Sequence, residues 1–295
     1  MTDGLVVVDK EAGWTSHDVV GKLRGVYGQR RVGHAGTLDP DATGVLLVGL
    51  GRVTRLLRFL TETTKAYRGR VVFGIATDTL DAAGAETARA EMPVTRDDVE
   101  AAARRFVGDI EQVPPMVSAV KVGGRKLYEL ARKGEEVERA PRPVRIDAIE
   151  IEDFVAGPYP EAVVRVECSS GTYIRSLAAD LGAALGGHAH LGSLRRLAVG
   201  RFALDEAHTI DIVAADPDSM VLAPADALRA LERVTVDADT ARAVGHGRPF
   251  AADALVPGAG EGPFAVIDEG GALLAVYERR GDRVKPAVVL ATEAA

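Results

Sequence analysis

Apolar and polar positions along the chain form short runs of differing period, and they predict strands and helices in mixed order. Residues 4–10 (GLVVVDK) read as a short buried strand. Thr15, with Asp18 three residues on, has the pattern of a capping box. Val19, Val20, Leu23, Val26 and Tyr27 then recur at helical spacing until Gly28. The continuous apolar run 45–48 predicts a buried strand. Gly49-Leu50-Gly51 turns into a helix with Val53, Leu56, Leu57 and Leu60 on one face. Residues 65–70 lead into a strand over 71–73, and 77–84 read as a polar loop. A second capping box, Thr95 and Asp98, opens a helix reaching residue 107. Pro114-Pro115 precedes a strand over 116–122, and Gly123-Gly124 turns into a basic helix over 126–132.

Beyond Pro141 and Pro143, residues 144–154 and 162–168 alternate and are rich in β-branched residues, as strands are. A polar link, 169–175, enters a helix whose apolar face is Ile174, Leu177, Ala178, Leu181, Ala184 and Leu185; Gly186-Gly187 closes it. Residues 194–202 predict a further strand. The order lacks βαβα regularity, so the expected class is α+β, with a mixed, largely antiparallel sheet flanked by helices. The texture changes at Ile212: residues 211–218 are acidic and contain proline, the mark of a linker or domain edge. A short helix over 224–231 and strands at 264–267 and 273–277, around the turn Asp268-Glu269-Gly270-Gly271, predict a small β-barrel or sandwich.

With 295 residues, 47% of them hydrophobic and 27% charged, the chain has apolar mass for a full core and about two domains. It has no apolar run of the roughly 18 residues a membrane span needs, and its start, Met1-Thr2-Asp3-Gly4, has no secretory pattern. One cysteine, Cys168, excludes an internal disulfide and fits a reducing, cytoplasmic setting; its alternating apolar segment predicts a buried thiol. The net charge of −7 argues against nucleic acid only if charge is evenly spread. It is not. Basic clusters occur at Lys22, Arg24, Arg30 and Arg31; at Arg125, Lys126, Arg132, Lys133, Arg139, Arg142 and Arg145; and at Arg195, Arg196 and Arg201. Each reads as a solvated face or as part of a shared basic surface.

The densest stretch is Val32-Gly33-His34-Ala35-Gly36-Thr37-Leu38-Asp39-Pro40-Asp41-Ala42-Thr43-Gly44, just before the apolar run. Glycine permits close backbone approach and proline fixes direction, so such a loop can hold a side chain beside a ligand; it also reads as an ordinary polar turn. An ionised carboxylate is a competent nucleophile when a guanidinium holds it. Asp39, Tyr67 and Arg175 (in Tyr173-Ile174-Arg175) supply these groups, but spacing does not bring them together; Tyr67 as a strand-packing ring and Arg175 as a surface arginine stay open. Asp78 and Asp81 read as loop caps and Trp14 as packing for the N-terminal turn. No metal-ligand spacing or phosphate-binding glycine motif is present; His188 and His190 read as surface or packing residues.

Several stretches together resemble the TruB-type tRNA pseudouridine-55 synthases of bacteria: residues 4–16 with Lys10 and Gly13-Trp14-Thr15-Ser16, the Gly33–Gly44 stretch, Lys65-Ala66-Tyr67, Thr77-Asp78-Thr79-Leu80-Asp81, Pro114-Pro115-Met116-Val117-Ser118-Ala119-Val120-Lys121, Gly171-Thr172-Tyr173-Ile174-Arg175-Ser176-Leu177, and Leu194-Arg195-Arg196-Leu197. They run in order from residue 4 to about 202. Residues 221–293 loosely resemble the family's small PUA-like RNA-binding barrel. The chain departs from the family at Glu11, where proline is usual, which puts the rigidity of that turn in question.

The resemblance implies a catalytic domain over 1–212, with a mobile RNA-clasping segment near 125–145, and a PUA-like domain over 221–295. It implies a cofactor-free isomerase that flips a T-loop uridine out of the tRNA, attacks it with Asp39, stacks it on Tyr67 and keeps the carboxylate paired with Arg175. Tyr173 and Leu194 line the pocket, His34 sits where the nucleotide leaves the stack, and Lys10 supports the loop. It implies a cytoplasmic monomer with tRNA as partner, no membrane and no obligate protein partner, able also to assist tRNA folding. Two alternatives are an RNA-guided relative and a non-catalytic tRNA-binding or folding module.

Overall fold

The computed structural model describes residues 1–290 apart from 62, 119, 128, 129, 131–133, 136, 257 and 259. Arg132 and Lys133 of the second basic cluster, and part of the helix expected over 126–132, lie outside the described residues. The chain forms two compact units: residues 1–40, 45–61 and 200–295 in one, residues 41–44 and 62–199 in the other.

In the first unit the strand Gly4–Lys10 is almost wholly buried, as its apolar run requires. Thr15 caps the helix Ser16–Val26, and the reciprocal Thr15–Asp18 capping box is formed. The strand Val32–Ala35 pairs antiparallel with Thr43–Leu50, setting His34 opposite Val48. The helix expected after Gly51 is broken into a 3-10 turn, Gly51–Arg55, and one turn of α-helix, Leu57–Thr61. The segment expected as a linker near 211–218 instead begins with the helix Ile210–Ala215, which buries Ile210 and Val213. Two apolar residues three apart suffice to seat one helical turn, and the acidic residues around them stay at the surface. The C-terminal part has a five-stranded sheet in the order Glu232–Val236, Phe264–Asp268, Leu273–Arg280, Arg283–Val289 and Phe250–Ala251. The helix Ala238–Gly245, capped by Asp237, is an element the hydrophobic pattern did not indicate.

In the second unit the strands run in the order Ala189–Val199, Lys65–Phe73, Glu161–Cys168, Arg142–Val155 and Gly108–Gln112, with every neighbouring pair antiparallel. The central strand Lys65–Phe73 is one continuous element, longer than the run 71–73 suggested, with Lys65, Tyr67, Gly69, Val71 and Phe73 on its buried face. That face packs with Val166, Cys168, Ile174, Leu177 and Leu181. The helix Arg96–Arg104 carries the second capping box, from Thr95. The helix Ile174–Ala184 is as its apolar face predicted. The strand Ala189–Val199 starts earlier than expected and takes in His190, which is buried with Nδ1 3.1 Å from the Ile75 carbonyl. Among the described residues of 116–122, only Lys121–Val122 is strand, paired with Arg125–Lys126; Pro114 and Pro115 precede the bends at 116–118, which join no ladder.

A parallel pairing sets Arg195 and Arg196 opposite Thr43 and Gly44. Gly44 has φ +103°, and a Cβ there would lie 2.1 Å from the Arg196 carbonyl oxygen. Only glycine fits this approach. Gly28 has φ +59° but open space around it. We expect Gly28→Ala to cost about 1 kcal/mol, the left-handed backbone penalty alone. Gly44→Ala should cost at least about 2 kcal/mol more, from the overlap with a strand backbone. Urea unfolding of the two variants measures the difference, and equal losses would contradict it.

Candidate active site

The candidate residues are distributed over both units. In the first unit, Lys10, His34 and Asp39 lie around one turn. Lys10 is fully buried, and its Nζ donates to the carbonyls of Glu11 (2.9 Å), Trp14 (2.6 Å) and Pro40 (2.9 Å). The Gly13 N–H donates to the same Pro40 carbonyl at 3.0 Å. On the other side of Asp39, the Leu38 N–H donates to Ser16 Oγ at 2.9 Å, and Leu38 itself is buried. The backbone on both sides of Asp39 is therefore tied to the segment 10–16, while Asp39 is half-buried and Asp41 exposed. His34 is half-buried, with its ring edge-on to His17 at 5.2 Å.

In the second unit, Arg175 is 4% exposed at the start of the helix Ile174–Ala184. Its guanidinium donates to Asp81 Oδ2 at 3.2 Å, to the Thr79 carbonyl at 3.3 Å and to the Val117 carbonyl at 2.8 Å. A surface role for Arg175 is excluded by this burial. Asp81, which the sequence predicts only as a loop cap, is an ion-pair partner of this arginine. It does cap, since Oδ1 accepts from Thr79 Oγ1 (2.6 Å) and the Ala83 N–H (3.1 Å), but its second oxygen faces Arg175. Leu80 beside it holds φ +65°, rare for a branched side chain, so this turn is strained where it presents the carboxylate. The signal in the sequence was Thr77-Asp78-Thr79-Leu80-Asp81, a turn with more acceptors than one cap needs.

Tyr173 is the N-terminal cap of that helix, and Gln112 holds its backbone: Oε1 accepts from the Tyr173 N–H at 2.7 Å and Nε2 donates to its carbonyl at 3.0 Å. Leu194 pairs with Gly69 and is half-buried against the apolar cluster. Tyr67 sits on the buried sheet face, opposite Val166 on one side and Arg196 on the other. Arg196, expected in a basic surface cluster, is 1% exposed. Strand alternation is the reason: Arg195 and Arg196 point to opposite faces, and Arg196 takes the inner one. Arg145 ion-pairs with Asp109 and Asp147, and Arg125 with Glu135, so acidic neighbours offset part of the second basic cluster.

Lys65 shares the buried face. Burial, and then the nearby Arg196 charge, bring its amine down to about 8, partly opposed by Cys168. Burial raises the Cys168 thiol to about 11.

The fold and these residues define a class. The structure superimposes on a chain of a Cbf5–Nop10–Gar1 complex with TM-score 0.75 and 25% identity, over 97% of this chain and 84% of that one. A chain in an H/ACA RNP bound to a substrate RNA containing 2′-deoxyuridine gives TM-score 0.73 at 23% identity, over 98% of this chain and 85% of that one. Residues 24–174 match the TruB family pseudouridylate synthase (N terminal domain), 175–240 the tRNA pseudouridylate synthase B C-terminal domain, and 231–291 the tRNA Pseudouridine synthase II, C terminal. The chain is 46% identical to the protein named tRNA pseudouridine synthase B of Mycolicibacterium paratuberculosis, over 97% of each. It is 51% identical to that of Symbiobacterium thermophilum, over 83% of this chain and 82% of the relative. It belongs to the TruB family of pseudouridylate synthases. Among the described residues no helix is long and apolar enough to cross a membrane.

The depressed Lys65 value has a thermodynamic consequence. The folded chain binds this proton more weakly than the unfolded one, whose amine titrates near 10.5. Stability therefore rises with pH between about 8 and 10.5, and below 8 the full penalty, about 3 kcal/mol, is present. Lys65→Met should stabilise the protein at pH 7 by up to that amount, and the advantage should shrink as pH rises through this window. Urea unfolding at pH 7 and pH 10 tests it; a pH-independent difference would contradict the assignment.

Proposed function

We propose that this protein isomerises a uridine in the T loop of tRNA, at position 55, to pseudouridine. The observation that carries the reading is the 46% identity, over nearly the whole length of both chains, to proteins named tRNA pseudouridine synthase B. The chemistry of the candidate residues supports it. A looped-out base costs a few kcal/mol to extrude, and stacking on an aromatic side chain returns about 1–3 kcal/mol.

In this reading Asp39 is the nucleophile, its backbone fixed on both sides. It attacks the flipped uridine, the glycosidic bond breaks, and the uracil rotates and rejoins through C5 without a cofactor. Arg175 is the charge partner of Asp39 during the reaction, itself oriented by Asp81, Thr79 and Val117. Tyr67 stacks on the base and assists loss of the C5 proton, Tyr173 and Leu194 line the pocket, and His34 fills the place the nucleotide leaves. Lys10 keeps the aspartate loop in shape. Residues 221–295 add RNA-binding surface, and the segment near 125–145 closes on the T arm. The protein works as a cytoplasmic monomer without a protein partner. The alternative is an RNA-guided relative that works with partner proteins, and the likeness to a chain found in a Cbf5–Nop10–Gar1 complex favours only the partner-dependent part of it.

Release of tritium from C5-labelled uridine in tRNA transcripts tests the proposal. The wild type should release it, Asp39→Asn should release none above background, and Asp41→Asn should stay within about threefold of wild type. Release by the purified chain from a minimal T-arm hairpin excludes a required guide; release only with added partners would support the guided reading. Affinity for tRNA should fall steeply with salt, by about tenfold or more between 50 and 200 mM, as several phosphate contacts imply.

A further inference from the structure

Arg196 is a costly side chain to bury. A guanidinium stays charged at any ordinary pH, and taking it out of water costs several kcal/mol. At 1% exposure it lies on the buried face of the sheet, directly across from Tyr67, where an apolar residue would be buried at less cost. The nearby Lys65 ammonium adds repulsion. Packing alone gives no reason for an arginine.

Its neighbours supply one. Arg196 stands directly across the strand pair from Tyr67, and antiparallel partners share a face. Its side chain hydrogen-bonds that of Tyr67. Guanidinium has only donors, so the phenol oxygen is the acceptor and its own O–H must point elsewhere. A charged, planar donor fixes both the ring and the direction of the hydroxyl. The backbone of the same residue is clamped against Gly44, five residues beyond Asp39 in the chain, at an approach only glycine permits. One residue thus meets the Gly44 backbone and the aromatic ring at once.

We propose that Arg196 is a positioning residue for the pseudouridine-forming reaction: it acts through Tyr67, holding the ring and hydroxyl in the orientation that receives the flipped base. The proposal rests on the place given to Tyr67 in the proposed function. It assigns Arg196 no contact with RNA, unlike an arginine of a basic surface.

The test compares Arg196→Met, Arg196→Lys, Tyr67→Phe and the double variants, reading the single-turnover rate of tritium release and the Kd for tRNA separately. Arg196→Met should slow the reaction by roughly tenfold or more while Kd stays within about twofold, and Arg196→Lys should restore part of the rate. In the Tyr67→Phe background either change should cost less than about twofold, because the acceptor is gone. Equal losses in both backgrounds, or a loss carried by Kd, would overturn the proposal. If Arg196→Met does not fold, Arg196→Lys carries the same comparison. If Tyr67→Phe is inactive, 3-fluorotyrosine at position 67 replaces the rate: its fluorine resonance should shift or split in the Arg196 variants, and an unchanged resonance would overturn the proposal. That resonance reads the contact even if the wild type releases no tritium, so failure of the proposed function and failure of this inference are distinguishable.

Discussion

The aspartate loop depends on a buried ammonium. Lys10 has no access to water, so its three protons must find acceptors inside the protein, and they find the carbonyls of Glu11, Trp14 and Pro40. Leaving any of them unmade would strand a charge, and for that reason the three segments cannot drift apart independently. This answers the question raised by Glu11. Proline would stiffen the turn through its ring. Here the carbonyl of Glu11 is itself one of the acceptors, and the Gly13 N–H to Pro40 bond closes the same turn from the other side. Hydrogen bonds from one cation hold the turn, and because proline also carries a carbonyl they do not depend on the residue type at position 11.

The second unit shows a related division along one strand. The buried face of Lys65–Phe73 changes character from end to end: Val71 and Phe73 lie within the apolar core, Tyr67 joins that core while facing Arg196, and Lys65 stands opposite Cys168. The apolar half holds the strand in register. The polar half, placed by that register, is less favourable in itself, and the depressed Lys65 amine is a measure of it. Stability and the placing of polar groups are thus weighted toward opposite ends of the same strand.

Much of this was legible in the sequence where a local rule decides the outcome. Both capping boxes, the strand Gly4–Lys10, the helix Ile174–Ala184 and the buried Cys168 follow from spacing and composition. The elements misread were those decided by partners far along the chain. Gly108–Gln112 is a strand because it pairs with Arg142–Ile146, and its own residues do not announce it. Residues 116–118 have strand composition but no ladder to join. Arg196 looked like a surface charge because charges usually are; only the facing Tyr67 shows why it is buried. Asp81 is the same lesson, since the sequence gives the turn but not the guanidinium that arrives from residue 175.

Asp81 also separates two kinds of information. One of its oxygens is spent on Thr79 and the Ala83 N–H, and so belongs to the hairpin turn; the other meets Arg175, and so belongs to the charge balance around that guanidinium. The shape of the loop and the electrostatics of the arginine are written on different atoms of a single carboxylate. A turn of neighbouring residues, hydrogen-bonded to Leu191 on both sides of Asp81, thereby presents a carboxylate to a helix nearly a hundred residues downstream.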